Sequence, residues 1–452
     1  MNFLKRLQEI WHEDRLLQGI IRNTGYLFSS NTITMVLGMA QSILAARLLG
    51  VAALGVLGTI TVFASTVNRL FSFRMGDLVV KYFGGYLEEG DLPRAGSLIK
   101  VSASIESITS VVAFLVLLFL APVAAVIFAK DPSLTVWFRV YGVFILGSLI
   151  DETAVAVLHV TDRFRSQAIL NLAQSILTAV VIGLAFLLQA GLPLVLFAYL
   201  AGKIVLGFGG VFLAARSLRR VLGARWWRQP MVKLPPWGEL ARFAVSTNLS
   251  TTINLVVRDS EQLWVAYFLS PLAVGYYKIA LAIVNMVVMP ITPFISTTYP
   301  KISASVAGKK WAQLRSLLRR VTAISGAWTA ASTLGLLVLG RLFIRIMYGT
   351  EFLPAYPILL VLLVGYGLAN TCFWNRPLLL AFGKPMVPFY AMAVFGLIKV
   401  GLAFSVVPAM GAMGEAILLS GYFVFSVGWI VLAGLRELRR GEQASLAAEA
   451  AG

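Results

Sequence analysis

The sequence LLGVAALG at residues 48–55 recurs as FLSPLAVG at residues 268–275. A similar shift of about 220 residues places GLAF at 183–186 on GLAF at 401–404, and Gly191 on Gly411. Both halves of the chain are strongly apolar. The sequence therefore predicts a duplicated bundle of hydrophobic helices, and the seam between the copies is the place to search for a site.

The composition is that of a membrane protein. Of the 452 residues, 59% are hydrophobic and 13% are charged, and the mean hydropathy is +0.84. A soluble domain is about a quarter charged, so much of this surface must face lipid. A single cysteine, Cys372, excludes intrachain disulfides, and only two histidines, His12 and His159, are present. No metal site, cofactor or catalytic residue is predicted.

Twelve apolar stretches are long enough to cross a bilayer, which takes about 20 residues per helix. They cover residues 25–47, 51–76, 98–128, 134–158, 166–188, 192–215, 243–267, 272–298, 317–340, 353–375, 386–408 and 411–435. We therefore expect an all-α polytopic membrane protein with about twelve transmembrane helices in two six-helix lobes. Because each copy has an even number of helices, both enter the membrane in the same direction and the repeat is parallel.

The net charge of +18 is concentrated in connections on one side of the predicted bundle. The basic connections are 77–100, 159–165, 216–242, 301–320 and 376–384. Three connections on the other side contain no Lys or Arg, namely 189–193, 268–273 and 409–414. The positive-inside rule then places the basic loops and both termini in the cytoplasm. This charge sets topology, so membrane lipids are expected partners and nucleic acid is not.

The predicted organisation has five parts. They are a cytoplasmic N-terminal segment at 1–24, an N-lobe at 25–215, a basic cytoplasmic linker at 216–242, a C-lobe at 243–435 and a cytoplasmic tail at 436–452. Apolar residues between Phe3 and Trp11 recur at helical spacing, which fits an amphipathic helix on the membrane surface. A solvated tail is the alternative for this segment.

Spans 1 and 7, which are equivalent in the repeat, are too polar to face hydrocarbon. Both carry runs of Ser, Thr and Asn, with Asn31 in span 1 and Asn254 in span 7. Hydrogen bonds between packed helices explain scattered hydroxyl groups. They do not explain Arg258, Asp259 and Glu261 within four residues. The pattern favours a water-filled cavity between the lobes, where Asn31 and Asn254 would contact a polar cargo.

Charged side chains inside the spans cost about 3 kcal/mol or more each and are therefore functional candidates. They are Arg69, Arg74, Asp77, Asp151, Glu152, Lys203, Arg258, Asp259, Glu261, Lys278, Arg376, Lys399 and Glu415. Glu261 and Lys278 are equally far from the turn near residues 269–270. Because they lie at similar depth, we predict a structural ion pair between them.

Five intramembrane cations outnumber the nearby acids and suit an anionic cargo such as phosphate. They are Arg69, Lys203, Arg258, Arg376 and Lys399. Asp151, Glu152 and Asp259 are candidates for coupling to H⁺ or Na⁺, because a carboxylate in a cavity of low polarity can exchange a proton. Simple charge balance is the alternative role for these three residues.

The two repeat segments carry a resemblance to a known family. AARLLGVAALG at 45–55 resembles the first hairpin of polysaccharide-exporting membrane proteins. RDSEQLWVAYFLS at 258–270, with VGYYKIA at 274–280, resembles their seventh and eighth helices. On these motifs, and on the spacing of twelve spans over nearly the whole chain, the sequence resembles the Wzx-type oligosaccharide flippases. These O-antigen and polysaccharide exporters belong to the MOP superfamily, with the MATE antiporters and the lipid II flippases.

That resemblance implies a V-shaped central cavity lined by helices 1, 2, 7 and 8, with a cationic interior for a diphosphate. Arg69 and Arg258 fall on those helices. It implies that a polyprenyl-diphosphate-linked oligosaccharide passes from the cytoplasmic to the outer leaflet by alternating access, for cell-surface polysaccharide biosynthesis. Polymerase and chain-length proteins of the same pathway are the implied protein partners. Gly38-Met39 occupies the first-lobe position equivalent to Arg258-Asp259, so the charged site is expected to be asymmetric.

Two other functions compete with this interpretation. A MATE-like efflux of small organic cations needs a net acidic, aromatic pocket, whereas the predicted interior is cationic. A membrane glycosyltransferase or polymerase needs a loop with clustered carboxylates, and residues 216–242 contain only Glu239 as an acid. We therefore expect a transporter and not an enzyme.

Overall fold

Helices form all the regular secondary structure in the part of the chain that the structure describes. The computed structural model describes residues 15–71, 73, 75–228, 230–232, 234, 238, 252 and 254–451. Residues 1–14 of the predicted N-terminal segment, part of the predicted linker, Arg74 and residues 243–251 of predicted span 7 lie outside the described residues.

The helices are numbered here in chain order. They are α1 (Arg15–Phe71), α2 (Gly76–Glu88), α3 (Leu92–Ile127), α4 (Thr135–Gly142), α5 (Phe144–Gly147), α6 (Asp151–Val160), α7 (Phe164–Leu187), α8 (Leu192–Val221), α9 (Glu261–Phe268), α10 (Pro271–Val288), α11 (Thr292–Ala307), α12 (Trp311–Met347), α13 (Ala355–Thr371), α14 (Asn375–Ala381) and α15 (Met386–Ala451). Short 3₁₀ turns lie at Pro132–Leu134, Trp226–Arg228, Met289–Ile291 and Thr350–Phe352, and a π-helical turn lies at Leu255–Asp259.

Many of these helices have the length and apolarity of membrane spans. Within the described residues nine stretches qualify, at Ser29–Phe71, Leu92–Ile127, Pro132–Val160, Phe164–Leu187, Leu192–Val221, Pro271–Ile295, Trp311–Met347, Ala355–Ala381 and Met386–Ser445. The prediction of an all-α polytopic membrane protein is confirmed.

The first and last of these stretches, with 43 and 60 residues, are about twice as long as one crossing requires. Both leave helical geometry at a glycine with positive φ, 70° at Gly50 in α1 and 66° at Gly411 in α15. Glycine adopts this conformation without steric cost. Each stretch therefore has room for two of the predicted spans, and the total of twelve stays a prediction.

Predicted span 4 is not one continuous helix, contrary to the expectation from its apolar length. It is divided between α4, α5 and α6, with a break before Asp151. The backbone at the break is pressed against α8, because a Cβ atom on Gly207 would lie 2.1 Å from the carbonyl oxygen of Gly147. No side chain fits at position 207 without moving one of these two segments.

The described residues form two compact units. The first comprises the described residues of Met1–Leu48, Ala64–Ala124 and Ser133–Leu249, and the second those of Leu49–Phe63, Ala125–Pro132 and Ser250–Gly452. In the first unit, Phe83, Val157 and Leu218 belong to one buried cluster that joins α2, α6 and α8. In the second, Leu314 and Leu438 belong to a cluster that joins α12 and α15. The predicted lobe boundaries stay a prediction.

The second unit contains a reciprocal contact between the two repeat segments. A Cβ atom on Gly55 would lie 1.8 Å from the carbonyl oxygen of Pro271, and one on Gly275 would lie 2.2 Å from the carbonyl oxygen of Val51. The repeat shift of about 220 residues converts Val51 into Pro271 and Gly55 into Gly275. Each contact is thus the image of the other, and only glycine lets the two backbones approach this closely.

We expect Gly55→Ala and Gly275→Ala each to destabilise the protein by roughly 2 kcal/mol, because the added methyl group overlaps a backbone oxygen. The measurement is the thermal unfolding midpoint of the purified protein in detergent. Gly38→Ala is the matched control, since nothing lies within 4 Å of its Cβ position in the same helix. It should be neutral or slightly stabilising, because alanine is a better helix former than glycine. Equal midpoints for all three variants would contradict the close approach.

Candidate functional site

Predicted span 7 contains a break in regular helical geometry. The backbone N–H of Ser260 donates to the carbonyl of Leu255, five residues back, at 3.0 Å. The carbonyl of Val256 accepts hydrogen bonds from the Ser260 hydroxyl at 2.9 Å and from the Trp264 indole at 3.2 Å. Side chains therefore supply donors beside a π-helical turn, as is required where backbone at membrane depth departs from the α-helix.

A buried lysine completes the hydrogen bonding of this turn. Lys399 Nζ donates to the carbonyl of Val257 at 2.9 Å, and it forms an ion pair with Glu415 Oε1 at 2.7 Å. The side chains of Lys399 and Glu415 are 2% and 0% exposed. Both belong to α15, on opposite sides of Gly411. Lys399 is therefore engaged inside the protein in this structure, contrary to its predicted role as one of the excess cations facing an anionic cargo.

Arg258 and Asp259, which follow Val257 in the π-helical turn, are exposed. The guanidinium carbon of Arg258 lies 5.9 Å from the ring centroid of Tyr366 in α13 and 5.6 Å from that of Phe423 in α15. Aromatic faces attract a cation and restrict the positions its side chain can adopt. Arg258 is thus held by two rings and is still open to a ligand.

The predicted ion pair between Glu261 and Lys278 is not formed. Glu261 is only 2% exposed, and its Oε1 atom has no hydrogen-bond partner among the described residues. Lys278 instead lies beside Gly58, where a Cβ atom would be 3.5 Å from Lys278 Nζ and 2.8 Å from Gln262 Oε1. The two residues share a depth, but their side chains point to different neighbours. No described acid forms an ion pair with Lys278.

Charges of both signs surround Glu261 in the second unit. Glu261 interacts electrostatically with Lys399, Glu415, Arg258 and Asp259. The set therefore holds three carboxylates, at positions 259, 261 and 415, and two cations, at positions 258 and 399. The predicted excess of cations concerns residues of both units and stays a prediction.

The first unit has its own buried polar cluster, which the sequence did not reveal. Glu106 in α3 is 2% exposed. Its carboxylate accepts hydrogen bonds from the backbone N–H groups of Glu152 and Thr153 at 2.8 and 3.0 Å, and from the Thr153 hydroxyl at 2.6 Å. These groups lie in the first turn of α6, whose N–H groups have no partners within the helix. Glu106 thus caps the half-helix that follows the break. A lone acid in the 36-residue apolar stretch Leu92–Ile127 was the available signal.

Three predicted residues lie near this cap. Asp151 interacts electrostatically with Glu152 and Lys203. Glu152 Oε2 lies 2.9 Å from the position of a Cβ atom on Gly76, the first residue of α2. The structure therefore brings the acidic pair and the lysine of α8 together in one unit.

The other predicted residues are distributed between the two units. Arg69, in the last turn of α1, and Asn31, also in α1, are exposed and belong to the first unit. Arg376, in α14, is exposed and Asn254 is half-buried next to the π-helical turn, and both belong to the second unit. Their common role in one cavity stays a prediction.

The sequence matches the family described as "Polysaccharide biosynthesis protein" over residues 20–306. The chain belongs to this family. A curated relative is the inner membrane protein YghQ of Escherichia coli strain K12, which is 23% identical over 350 residues, or 77% of this chain and 98% of that protein. The name of this relative and the apolar helices together support a multi-pass inner-membrane location for the present chain.

Solved structures show which fold this family member has. Lipid II flippase MurJ in an inward closed conformation superimposes with a TM-score of 0.69 at 15% identity, covering 93% of this chain and 90% of that chain. A multidrug resistance MATE family transporter of the MOP superfamily, in an inward-facing conformation, gives a TM-score of 0.70 at 13% identity, covering 91% and 96%. This chain therefore has the fold of these two transporters, as the resemblance to the MATE antiporters and the lipid II flippases implies.

We expect Lys399→Met to cost about 3–5 kcal/mol of stability, because Glu415 then stays buried without its cation and the Val257 carbonyl loses its donor. The double variant Lys399→Met/Glu415→Leu should recover part of this loss, since no unpaired charge remains. The thermal unfolding midpoint in detergent measures both effects. Lys384→Met is the matched control, because Lys384 is exposed and its partner Glu437 keeps a second ion pair with Arg440. The Lys384–Glu437 pair should therefore contribute about 1 kcal/mol or less. A double variant no more stable than the single one would contradict this interpretation.

We expect Glu106→Leu to raise the amide hydrogen exchange of Glu152 and Thr153 at least about tenfold, because their N–H groups lose the acceptor that caps α6. Exchange measured by mass spectrometry on peptides spanning 150–156 tests this. Glu106→Gln should show a smaller increase, since its amide oxygen still accepts. Unchanged exchange in Glu106→Leu would show that the cap does not hold this half-helix.

Proposed function

We propose that this protein is a flippase that moves a polyprenyl-diphosphate-linked oligosaccharide from the cytoplasmic to the outer leaflet, for cell-surface polysaccharide biosynthesis. The two lobes would expose the cargo site to each side of the membrane in turn. Both termini and the basic loops face the cytoplasm in this proposal, as the positive-inside rule indicates.

Family membership and fold support the class of cargo. The chain matches the polysaccharide biosynthesis family over residues 20–306, and it shares the fold of a protein that flips lipid II. A flippase for a lipid-linked saccharide combines both features. Proteins that polymerise the exported saccharide and control its chain length would be partners in the same pathway.

The observation that carries the proposal is Arg258. Its guanidinium lies at a break in predicted span 7, is exposed, and lies beside the rings of Tyr366 and Phe423. A charged group at membrane depth is costly unless it meets water or a ligand. Arginine presents several directed donors that match the oxygens of a phosphate group. Arg258 is therefore our proposed contact to the diphosphate.

Other residues have supporting roles in this proposal. Lys399 and Glu415 position the turn that carries Arg258, through the hydrogen bond to Val257. Arg69, Lys203 and Arg376 would attract the anionic cargo, and Asn31 and Asn254 would contact its glycan.

Coupling to a proton or sodium ion is the remaining part of the proposal. Asp259 is exposed beside Arg258, and Asp151 and Glu152 lie beside Lys203 in the first unit. When an anionic cargo engages the cation, the neighbouring acid loses its charge partner, and its carboxylate then binds a proton or sodium ion more readily. Asp259 is the acid best placed for this exchange.

A MATE-like efflux of organic cations is the second candidate, and the charge balance favours it. Three carboxylates face two cations in the set around Glu261, and this chain shares the fold of a MATE family transporter. A cationic substrate would be drawn to that excess of acids. The two candidates differ in the sign of the cargo's charge, so one vesicle system separates them.

We expect Arg258→Gln to slow flipping by about tenfold or more, because one charge-assisted contact to the diphosphate is lost. The assay is purified protein in vesicles containing a polyprenyl-diphosphate oligosaccharide with a fluorescent sugar, which a glycosidase added outside cleaves only after flipping. Arg258→Lys keeps the charge but loses the paired donors, and should be intermediate. Arg345→Gln, an exposed arginine at the end of α12, is the control.

Wild-type rates in Arg258→Gln would overturn the cargo role of Arg258. Efflux of a cationic dye by the same vesicles, with no cleavage of the lipid-linked sugar, would favour the MATE-like alternative. In a strain that lacks the protein, the lipid-linked oligosaccharide should accumulate in the cytoplasmic leaflet, where a glycosidase added outside cannot cleave it. Mass spectrometry should detect the accumulated lipid.

A further inference from the structure

Two adjoining clefts lie where α11 meets α12, in the second unit. The first, of about 580 Å³, is lined by Lys301, Ala304, Ser305, Lys310, Gln313, Ser316, Leu317 and Arg320. The second, of about 810 Å³, shares Lys310, Gln313, Ser316 and Arg320 with the first and extends to Lys309, Arg315, Arg319 and the α15 residue Glu442. Both volumes are in the range of clefts that bind small molecules.

The charge lining these clefts is almost entirely positive. Six cations line them, and Glu442 is the acid that the clefts contain. Glu442 is already engaged in an ion pair with Arg315. In the described chain, Lys310 and Arg320 form no ion pair with an acid. A concave surface of this kind has the chemistry to bind an anion with several oxygens.

The uncharged stretch of α12 indicates how deep the clefts lie in the membrane. Residues 321–340 contain no charged side chain, and twenty helical residues span about 30 Å, the thickness of the hydrocarbon core. The turns that precede residue 321 therefore leave the hydrocarbon core at Arg320 and pass through the headgroup layer. At this depth the abundant anion with suitable oxygens is the phosphate of a phospholipid.

Packing beneath the clefts holds α12 against α15. Leu314 and Leu318, on the opposite face of α12, are buried in the cluster shared with α15. Trp311 stacks on Phe382 with ring centroids 6.1 Å apart and an interplanar angle of 11°. A Cβ atom on Gly441 would lie 2.7 Å from the Trp311 ring, so α15 packs directly against the indole. Ordinary basic loops that only set topology need no such supported concave surface.

We propose that these clefts are a binding site for the phosphate headgroup of an anionic phospholipid, with Lys310 and Arg320 as the shared contacts. The positive-inside rule places this site in the cytoplasmic leaflet. The site is separate from the residues around Arg258 and does not depend on what the protein transports. Bound lipid would join α11 and α12 through one headgroup.

The test compares the full-length wild type with Lys310→Gln/Arg320→Gln and with the matched control Arg219→Gln/Arg220→Gln. The control removes two exposed arginines from the end of α8, on the same predicted side of the membrane. Each purified protein in neutral detergent is titrated with dioctanoyl phosphatidylglycerol, dioctanoyl phosphatidylcholine and inorganic phosphate, and binding is followed by tryptophan fluorescence.

We expect phosphatidylglycerol to bind the wild type and the control equally, and the cleft variant about 30-fold more weakly, because two cation contacts are lost. Phosphatidylcholine and inorganic phosphate should bind all three proteins weakly. Equal phosphatidylglycerol affinity in the cleft variant and the control would overturn the proposal. Inorganic phosphate binding as tightly as the lipid would also overturn it, since the site would then be one for soluble anions. A monodisperse gel-filtration profile establishes that the variants are folded, and both substitutions replace exposed side chains.

Discussion

The hydrogen bond from Lys399 to the carbonyl of Val257 is the interaction on which the candidate site depends. Within a bilayer, a carbonyl without a donor costs several kcal/mol, so a helix can break there only where a side chain supplies one. The ammonium that does so carries a charge, and a buried charge requires a partner of opposite sign. Glu415 is that partner for Lys399. Arg258 is the next residue after Val257, so its exposed position depends on the Val257 carbonyl, on Lys399 and on Glu415.

The same constraint takes the opposite chemical form in the first unit. At the break before α6 the exposed backbone groups are N–H donors, since this is the start of a helix. They need an acceptor, and Glu106 supplies a carboxylate. At the π-helical turn the unsatisfied groups are carbonyls, and the residue supplied is a lysine. The sign of each buried charge is thus set by which end of a helix it satisfies, and not only by a cargo.

Hydrophobic length was sufficient to predict an all-α membrane protein, and the repeat aligned Gly55 with Gly275, although it did not predict that the two make a reciprocal contact. Side-chain pairing was harder to predict, because distance from a turn gives the depth of a residue but not its direction around the helix axis. Glu261 and Lys278 share a depth yet contact different neighbours. Lys399 lies twelve residues before Gly411 and Glu415 lies four residues after it. Because their distances from that turn differ, a comparison of depths did not predict their ion pair. Glu106 was missed because its role depends on a break in a different span, which an apolar sequence does not reveal.

The contact of Gly55 with Pro271 and of Gly275 with Val51 bears on the ancestry of the chain. A contact that maps onto itself when the halves are exchanged is the kind that a symmetric dimer makes. In a single six-helix ancestor that paired with its own copy, one glycine would have served both sides of the axis. In the present sequence the neighbouring residues differ between the copies, with Gly50 matched by Ser270 and Val51 by Pro271, whereas both copies have the glycine. Two positions in the present sequence are therefore one inherited requirement, and a side chain gained in either half would disturb both.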